Sequence, residues 1–294
     1  MKTKFVVAAL IGLVTLSAPA LAQKKSSLRT DQVRGVYELP KEAKQKSIYD
    51  ALKKRRTLEE LRILLSPLRL PRRLILRLKG CDGKIDVSYE DDMVTFCYEY
   101  VEYLQRHAPN ISTPGGLTPA DAIFSAIFDT FLHEAGHAVF DMLKVPIFGR
   151  EEDAADYFSA YILLRFTPGD ARRFIQGVAF IYASEAKFAL KKVPDIKEFA
   201  SEHELPAQRY FNVLCIAYGS DSSIYEKAIT RGGLPKERAA DCEDEYKMLQ
   251  RAFRKLIRPY VDQALLRTAR AKMRFKWDEL IPPTDSRDAL PIGR

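Results

Sequence analysis

The stretch TPADAIFSAIFDTFLHEAGHAVFDML, residues 118–143, predicts a long buried helix. Thr118 is a favourable N-cap, Pro119 suits the first helical position, and Asp121 suits the positive end of the helix dipole. Apolar residues recur on almost every face of the helix, as is typical of a helix surrounded by other elements. We therefore expect a buried helix that ends at about residue 143.

The same helix carries the motif His-Glu-x-x-His. His133 and His137 are one helical turn apart, so both imidazoles can point at one metal ion. Zinc bonds to nitrogen at about 2.0–2.1 Å and is well suited to this pair. Glu134 is rotated by about 100° from His133 and can reach a metal-activated water, which is the place of a general base. The alternative is that both histidines only satisfy their hydrogen bonds in the core or at the surface.

The third metal ligand is predicted in the acidic segment that follows. Glu152 and Asp156 are four residues apart and share a helix face. We assign Glu152 to the metal and Asp156 to the free ring N–H of His133, because such carboxylates fix the orientation of ligating histidines. The alternative is that the acidic cluster only interacts favourably with the positive end of the helix dipole. Both interpretations are compatible if Glu151 and Asp153 point outward while Glu152 points toward the metal.

These motifs resemble those of the gluzincin metallopeptidases. HEAGH (133–137) followed by EDAAD (152–156) is similar to their His-Glu-x-x-His motif and the Glu-x-x-x-Asp on a following helix. The resemblance implies one Zn²⁺ ion held by His133, His137 and Glu152, with Glu134 as the base that activates water for peptide hydrolysis.

Other segments resemble an uncharacterised family of exported bacterial metallopeptidases. They are CDGKIDVSYEDDMVTFCYE (81–99), EHELPAQRYFNVLCIAYGSD (202–221) and LPKERAADCEDEY (234–246). The resemblance covers most of the chain and implies the gluzincin site, but it implies no particular substrate.

The gluzincin resemblance implies two further features. Such enzymes use a His or Tyr to stabilise the oxyanion, and His203 and Tyr210 are the candidates here. The alternatives are that His203 is a surface residue beside a helix and that Tyr210 only packs in the core. Such enzymes also bind the substrate backbone along an edge strand beside the active-site helix, for which we propose residues 93–98.

Away from this helix the pattern predicts an α+β fold that is mainly α-helical and zincin-like. Alternating apolar residues over 74–79, 85–89 and 93–98 predict a small antiparallel β-meander beside the active-site helix. Two helices are expected within 41–66, the second with Thr57 as N-cap. Further helical patterns cover 98–107, 150–166, 171–190, 205–218, 222–231 and 235–272.

The ends of the chain differ from its centre. Lys2 and Lys4, an apolar run and the sequence Ala20-Leu21-Ala22 predict a signal peptide over 1–22, cleaved after Ala22. The alternative is an uncleaved anchor, for which the apolar run is short. We expect a loose segment over 23–40, a single metallopeptidase-like domain over 41–274 and a tail over 275–294. The protein is then periplasmic or secreted, and no later segment is apolar enough to span a membrane.

Four cysteines in an exported chain predict two disulfides. Three pairings are possible. We favour Cys81–Cys97, which would join two strands, and Cys215–Cys242, which would join two helices, and the family resemblance supports both pairs.

The net charge is +8, or +6 once Lys2 and Lys4 leave with the signal peptide. Its spread along the chain and the absence of a nucleic-acid motif argue against a nucleic-acid partner. We expect a peptide or protein substrate, and the sequence does not indicate an oligomeric state.

Three functions follow from these features. The first is an exported zinc peptidase. The second is a catalytically silent zinc-binding envelope protein that acts through partner binding, against which Glu134 argues, because a structural site needs no base. The third is a basic envelope-binding protein with an accidental motif.

Overall fold

A long helix and a small mixed sheet organise the fold. The computed structural model describes residues 32–191, 195–231, 233–273, 275 and 277. The strands are β1 (Val33–Tyr37), β2 (Leu74–Lys79), β3 (Val87–Glu90) and β4 (Met93–Cys97). The helices are α1 (Lys46–Arg55), α2 (Thr57–Leu65), α3 (Tyr98–His107), α4 (Pro119–Leu143), α5 (Glu151–Leu163), α6 (Pro168–Ala189), α7 (Pro206–Ser220), α8 (Lys227–Thr230), α9 (Lys236–Ala252) and α10 (Gln263–Lys272). The α+β, mainly helical fold class is confirmed, while the predicted signal peptide lies outside the described residues.

Helix α4 has the predicted bounds and lies at the centre of the core. The Thr118 hydroxyl accepts a hydrogen bond from the Asp121 N–H, and the Asp121 carboxylate accepts one from the Thr118 N–H, both at 3.1 Å. Phe131 of α4 stacks on Phe96 of β4 with ring centroids 4.6 Å apart, so the helix is fixed against the sheet. Most of α4 is buried, including His133 and Glu134 of its motif, while His137 is partly exposed.

Helices α4 and α5 pack closely at Gly136. A Cβ atom at this position would lie 3.3 Å from the Ala155 Cα and 3.3 Å from the Phe158 ring. A Cβ at this position would require the neighbouring atoms of α5 to shift by a few tenths of an ångström. This close approach brings the residues of α5 within reach of the histidines on α4.

The sheet order is β1-β2-β4-β3, which corrects the predicted meander in part. Strands β3 and β4 form the expected antiparallel hairpin, but β4 pairs with β2 in parallel. Alternation identifies the buried face of a strand and says nothing of its neighbour or direction, so the sequence did not reveal this arrangement.

The topology also corrects the predicted edge strand. Residues 93–97 form β4, which is paired on both sides and cannot accept an added strand. Strand β3 lies at the edge, and α4 packs against both β3 and β4. The edge strand beside the candidate active-site helix is therefore β3.

Strand β1 lies inside the segment 23–40, which we expected to be loose. It pairs in parallel with β2, and Val33 is buried. Gly35 lets the strand approach α2, because a Cβ atom there would lie 2.9 Å from the Leu58 Cβ. A short strand with a central glycine shows little periodicity, which explains why the pattern did not predict it.

The C-terminal part of the domain also differs from expectation. The segment 235–272 divides into α9, a π-helical turn (Phe253–Ile257), a short 3₁₀ helix and α10. Trp277, from the expected tail, donates a hydrogen bond of 2.9 Å from its indole N–H to Asp170, and its ring contacts Phe124. Phe275 contacts Phe128 in the same aromatic cluster. Thr57 is the first residue of α2 and not its N-cap.

Both predicted disulfides are present. Cys81–Cys97 joins the end of β4 to the loop after β2, and Cys215–Cys242 joins α7 to α9. Next to the first disulfide, the Glu99 carboxylate accepts hydrogen bonds from the N–H groups of Cys81 and Gly83. Among the described residues, no helix is both long enough and apolar enough to cross a membrane.

Candidate active site

The histidines of α4 and the first turn of α5 meet at one point. His133 Nε2 lies 2.9 Å from Glu152 Oε2 and 3.2 Å from His137 Nε2, and His137 Nε2 lies 3.4 Å from the same carboxylate oxygen. His133 is buried and Glu152 is largely buried. The structure therefore brings together the three side chains that the sequence assigned to one metal ion.

The spacing of these three atoms fits a metal ion. Two donors that each lie about 2.0–2.1 Å from a tetrahedral zinc ion are about 3.3 Å apart. The three observed separations are 2.9, 3.2 and 3.4 Å. Two imidazole nitrogens and one carboxylate oxygen are also a usual ligand set for zinc. The residues present thus pass a test of both chemistry and geometry for a divalent metal.

Carboxylates hold the opposite edges of both imidazole rings. His133 Nδ1 lies 2.7 Å from Asp156 Oδ1, and His137 Nδ1 lies 2.9 Å from Glu151 Oε1. An ionised carboxylate only accepts hydrogen bonds, so both Nδ1 atoms carry a proton. Both Nε2 atoms consequently face the point where the rings meet, which is the orientation that a shared metal requires.

Hydrogen bonds between the histidines and carboxylates of the site shift the pKa values of both kinds of group. Burial opposes a charge on His133, but its hydrogen bonds to Asp156 and Glu152 outweigh burial and raise its pKa to about 10. Burial would raise the pKa of Glu152, but hydrogen bonds from the three neighbouring histidines lower it far below the ordinary value. The site therefore holds Glu152 as a carboxylate, which is the form that binds a cation.

Glu134 is buried beside this cluster and makes no hydrogen bond to any described residue. Burial raises the pKa of its carboxyl group, and the neighbouring charges of His133 and His137 lower it in part. A buried carboxylate without a hydrogen-bond donor is costly for the fold. Its placement suits a group that takes a proton from a solvent molecule held at the site.

Arg209 of α7 completes the support of His133. Its Nε and Nη2 atoms lie 2.7 and 2.6 Å from the two oxygens of Asp156. Burial would raise the pKa of Asp156, but Arg209 and His133 together lower it well below the ordinary value. Near the Arg209–Asp156 pair, the Asp129 carboxylate accepts hydrogen bonds from the hydroxyl groups of Ser159 and Tyr182, the latter at 2.9 Å. A charged network thus links α4, α5, α6 and α7.

The structure places His203 at the solvent side of the site. Its Nε2 lies 2.8 Å from Glu152 Oε2, and its ring is stacked on that of His133 with centroids 5.8 Å apart. Donor atoms of His133, Glu152 and His203 all lie within 4.8 Å of one another. Half of the His203 side chain is exposed. The half-buried Tyr210 follows Arg209 on α7, with its ring 5.1 Å from that of Phe211.

Two residues of the site were not predicted from the sequence. Glu151 was expected to point outward, but it contacts His137 although half of its side chain is exposed. Arg209 comes from a helix about 50 residues further along the chain and carried no local signal.

These features define a class of proteins in which one helix with His-Glu-x-x-His and a following acidic helix together form a site for a metal ion. A family model described as "Putative metallopeptidase" matches residues 37–257, and the chain belongs to that family. The expected family resemblance is confirmed, and membership indicates a hydrolase of the metallopeptidase type. Neither the curated proteins nor the solved structures gave a match.

Proposed function

We propose that this protein is an exported zinc-dependent metallopeptidase that hydrolyses peptide bonds. The observation that carries the proposal is the meeting of His133, His137 and Glu152 around one point, with the carboxylate of Glu134 buried beside them. A structural metal site would not need the last of these groups. Export is supported by the two disulfides, which persist in oxidising compartments.

In this proposal His133, His137 and Glu152 hold the metal. The metal would supply a Lewis acid that polarises the scissile carbonyl and activates water. Asp156 and Glu151 orient the two rings, and Arg209 fixes Asp156. Glu134 takes the proton of the attacking water and passes it to the leaving amine.

His203 is the better placed of the two candidates for stabilising the oxyanion. It is exposed to solvent and lies against Glu152, so a substrate that enters the site from solvent would meet it. A neutral or charged imidazole can donate a hydrogen bond to an oxygen that becomes negative in the transition state. The variant His203→Ala should then keep the metal and lose kcat. A fourth-ligand role predicts loss of metal instead.

Strand β3 is the proposed binding site for the substrate backbone. It lies at the edge of the sheet and packs against α4, and Tyr89 of β3 donates a hydrogen bond of 2.9 Å to Asp141 of α4. An extended peptide can add to such an edge through main-chain hydrogen bonds. This arrangement would hold a peptide or protein substrate beside the helix that carries Glu134.

The proposal is tested with the variant Glu134→Gln, which keeps the shape of the side chain and removes the base. We expect wild type and variant to bind equal amounts of zinc, while cleavage of an unfolded protein substrate falls by about 10²–10⁴-fold in the variant. Equal cleavage by both would show a contaminating protease and contradict the proposal. Zinc binding without cleavage by either would favour the silent, partner-binding alternative.

A further inference from the structure

An apolar cavity bordered by arginines lies along the C-terminal half of α5, whose N-terminal half carries Glu152 and Asp156. Helix α2, the π-helical turn Phe253–Ile257 and α10 form its other walls. We propose that this cavity binds a free fatty acid, with the acyl chain inside and the carboxylate at the arginine rim. The proposal does not depend on the function of the metal site.

The walls of the cavity are made of buried apolar side chains. Leu65, Leu68, Phe158, Ile257 and Ala269 all line it and are almost completely buried. The cavity volume is about 480 Å³, which is within the usual range for small-molecule sites. At the packing density of a protein interior this is roughly the space of one chain of sixteen carbons, and not of two. The size therefore favours a single-chain ligand over a phospholipid.

The charged residues at the cavity are all positive. Four arginines, Arg165, Arg254, Arg258 and Arg270, line it together with no acidic residue. Arg165 donates to the hydroxyl of Tyr161 and Arg254 to a side-chain amide. Across the part of the chain that the structure describes, none of the four lies within salt-bridge distance of a carboxylate. A ligand carboxylate would supply an anionic partner in the bidentate geometry that arginine favours.

The local backbone is also unusual at this place. The π-helical turn Phe253–Ile257 interrupts the end of the α9 region and contributes Phe253, Arg254 and Ile257 to the cavity. π-Helical turns are rare and occur frequently at functional sites. A regular helix of the same sequence would direct a different set of side chains to the cavity. The turn is a second observation that points to a binding site here.

The test is a displacement titration on the purified full chain. Dansylaminoundecanoic acid, whose fluorescence rises in an apolar site, is bound first and then displaced by palmitate. We expect one site per chain and displacement by palmitate, with methyl palmitate weaker by about tenfold because it lacks the charge that the arginines bind. Phosphatidylglycerol vesicles should not displace the probe, because two chains do not fit.

Two variants and one control separate the parts of the proposal. The double variant Arg258→Glu/Arg270→Glu should weaken palmitate binding by about tenfold or more, since it replaces attraction with repulsion. Ala269→Trp should fill the cavity and abolish binding. Arg267→Glu, on the same helix but outside the cavity lining, should leave the affinity unchanged, and far-UV circular dichroism checks that each variant is folded.

Several results would overturn the inference. It is wrong if the probe does not saturate, if methyl palmitate binds as well as palmitate, or if Arg267→Glu weakens binding as much as the double variant. It is also wrong if the probe binds only after residues 278–294 are deleted, because that result would mean that this segment occupies the cavity in the full chain. Displacement by the vesicles would assign the cavity to membrane lipid and not to free fatty acid.

Discussion

Replacing Arg209 by methionine should damage both the stability of the fold and the metal site. Arg209 makes two hydrogen bonds of 2.7 and 2.6 Å to Asp156 and lies 4.4 Å above the ring of Tyr182. Methionine keeps much of the contact with the ring but removes the charge. Asp156, Asp129 and Glu185 would then lose the guanidinium that lowers the pKa of all three, and only His133 would still offer a positive charge to Asp156.

The burial and contacts of Arg209 determine how much its replacement by methionine should cost. Removing one partner of a buried ion pair costs about 3–5 kcal/mol, and the lower end applies because a fifth of the Arg209 side chain is exposed. Loss of a group that orients a metal ligand typically weakens metal binding by about 10–100-fold. We therefore expect a loss of about 3 kcal/mol in the free energy of unfolding and a 10–100-fold loss in zinc affinity. Arg209→Lys should lose less of both, because it keeps the charge.

Urea unfolding in the presence of a chelator measures the change in the free energy of unfolding of the metal-free protein. Competition with a chromophoric chelator measures the change in zinc affinity. Arg238→Met is the matched control, because Arg238 makes a comparable two-point contact with Glu245 in a more exposed position away from the metal site. It should cost about 1 kcal/mol or less and leave zinc affinity unchanged. Wild-type zinc affinity in a folded Arg209→Met variant would refute the role that we assign to Arg209.

Three further predictions concern the scaffold. Replacing Cys215 and Cys242 by serine should lower the free energy of unfolding by about 3.5 kcal/mol in urea titrations, and an unchanged midpoint would count against the disulfide. Burial would raise the pKa of Glu99, but hydrogen bonds from backbone N–H groups outweigh burial and lower the pKa below 4.5. The ionised carboxylate therefore stabilises the fold above pH 4.5, and this stabilisation is lost as the pH falls through the lowered pKa. Glu99→Gln should thus cost about 1–2 kcal/mol at pH 7, with the difference shrinking below about pH 4.5, and a pH-independent difference would contradict this account. Gly219→Ala should prevent normal packing of α7 on α9, since its Cβ atom would lie 2.0 Å from the Cys242 carbonyl oxygen, whereas Gly169→Ala meets no atom within 4 Å and should leave the melting temperature unchanged or raised.

The parts of the fold that could be predicted from the sequence depend on local signals. Helix α4 was predicted with its bounds because Thr118, Asp121 and the apolar periodicity all act within a few residues of one another. Glu152 and Asp156 could be assigned because a four-residue spacing fixes a shared face on any helix. The structure brings both to His133, as that spacing predicted.

The parts that could not be predicted depend on which elements become neighbours. The parallel pairing of β2 with β4 and the position of β3 at the edge follow from the path of the chain between strands, which periodicity does not encode. Arg209 reaches Asp156 only because α7 packs against α5 and α6. Glu151 looked like a helix-start residue because its position in the first turn fits that role as well as contact with His137.

The central claim is that His133, His137 and Glu152 bind one zinc ion while Glu134 does not. The most direct test is the zinc content per chain, measured by mass spectrometry after zinc loading and removal of excess metal. We predict one ion per chain for wild type and for Glu134→Gln, and less than about a tenth of an ion for His137→Ala and Glu152→Gln at the same zinc concentration. Wild type without zinc, or zinc retained in full by both ligand variants, would contradict the account.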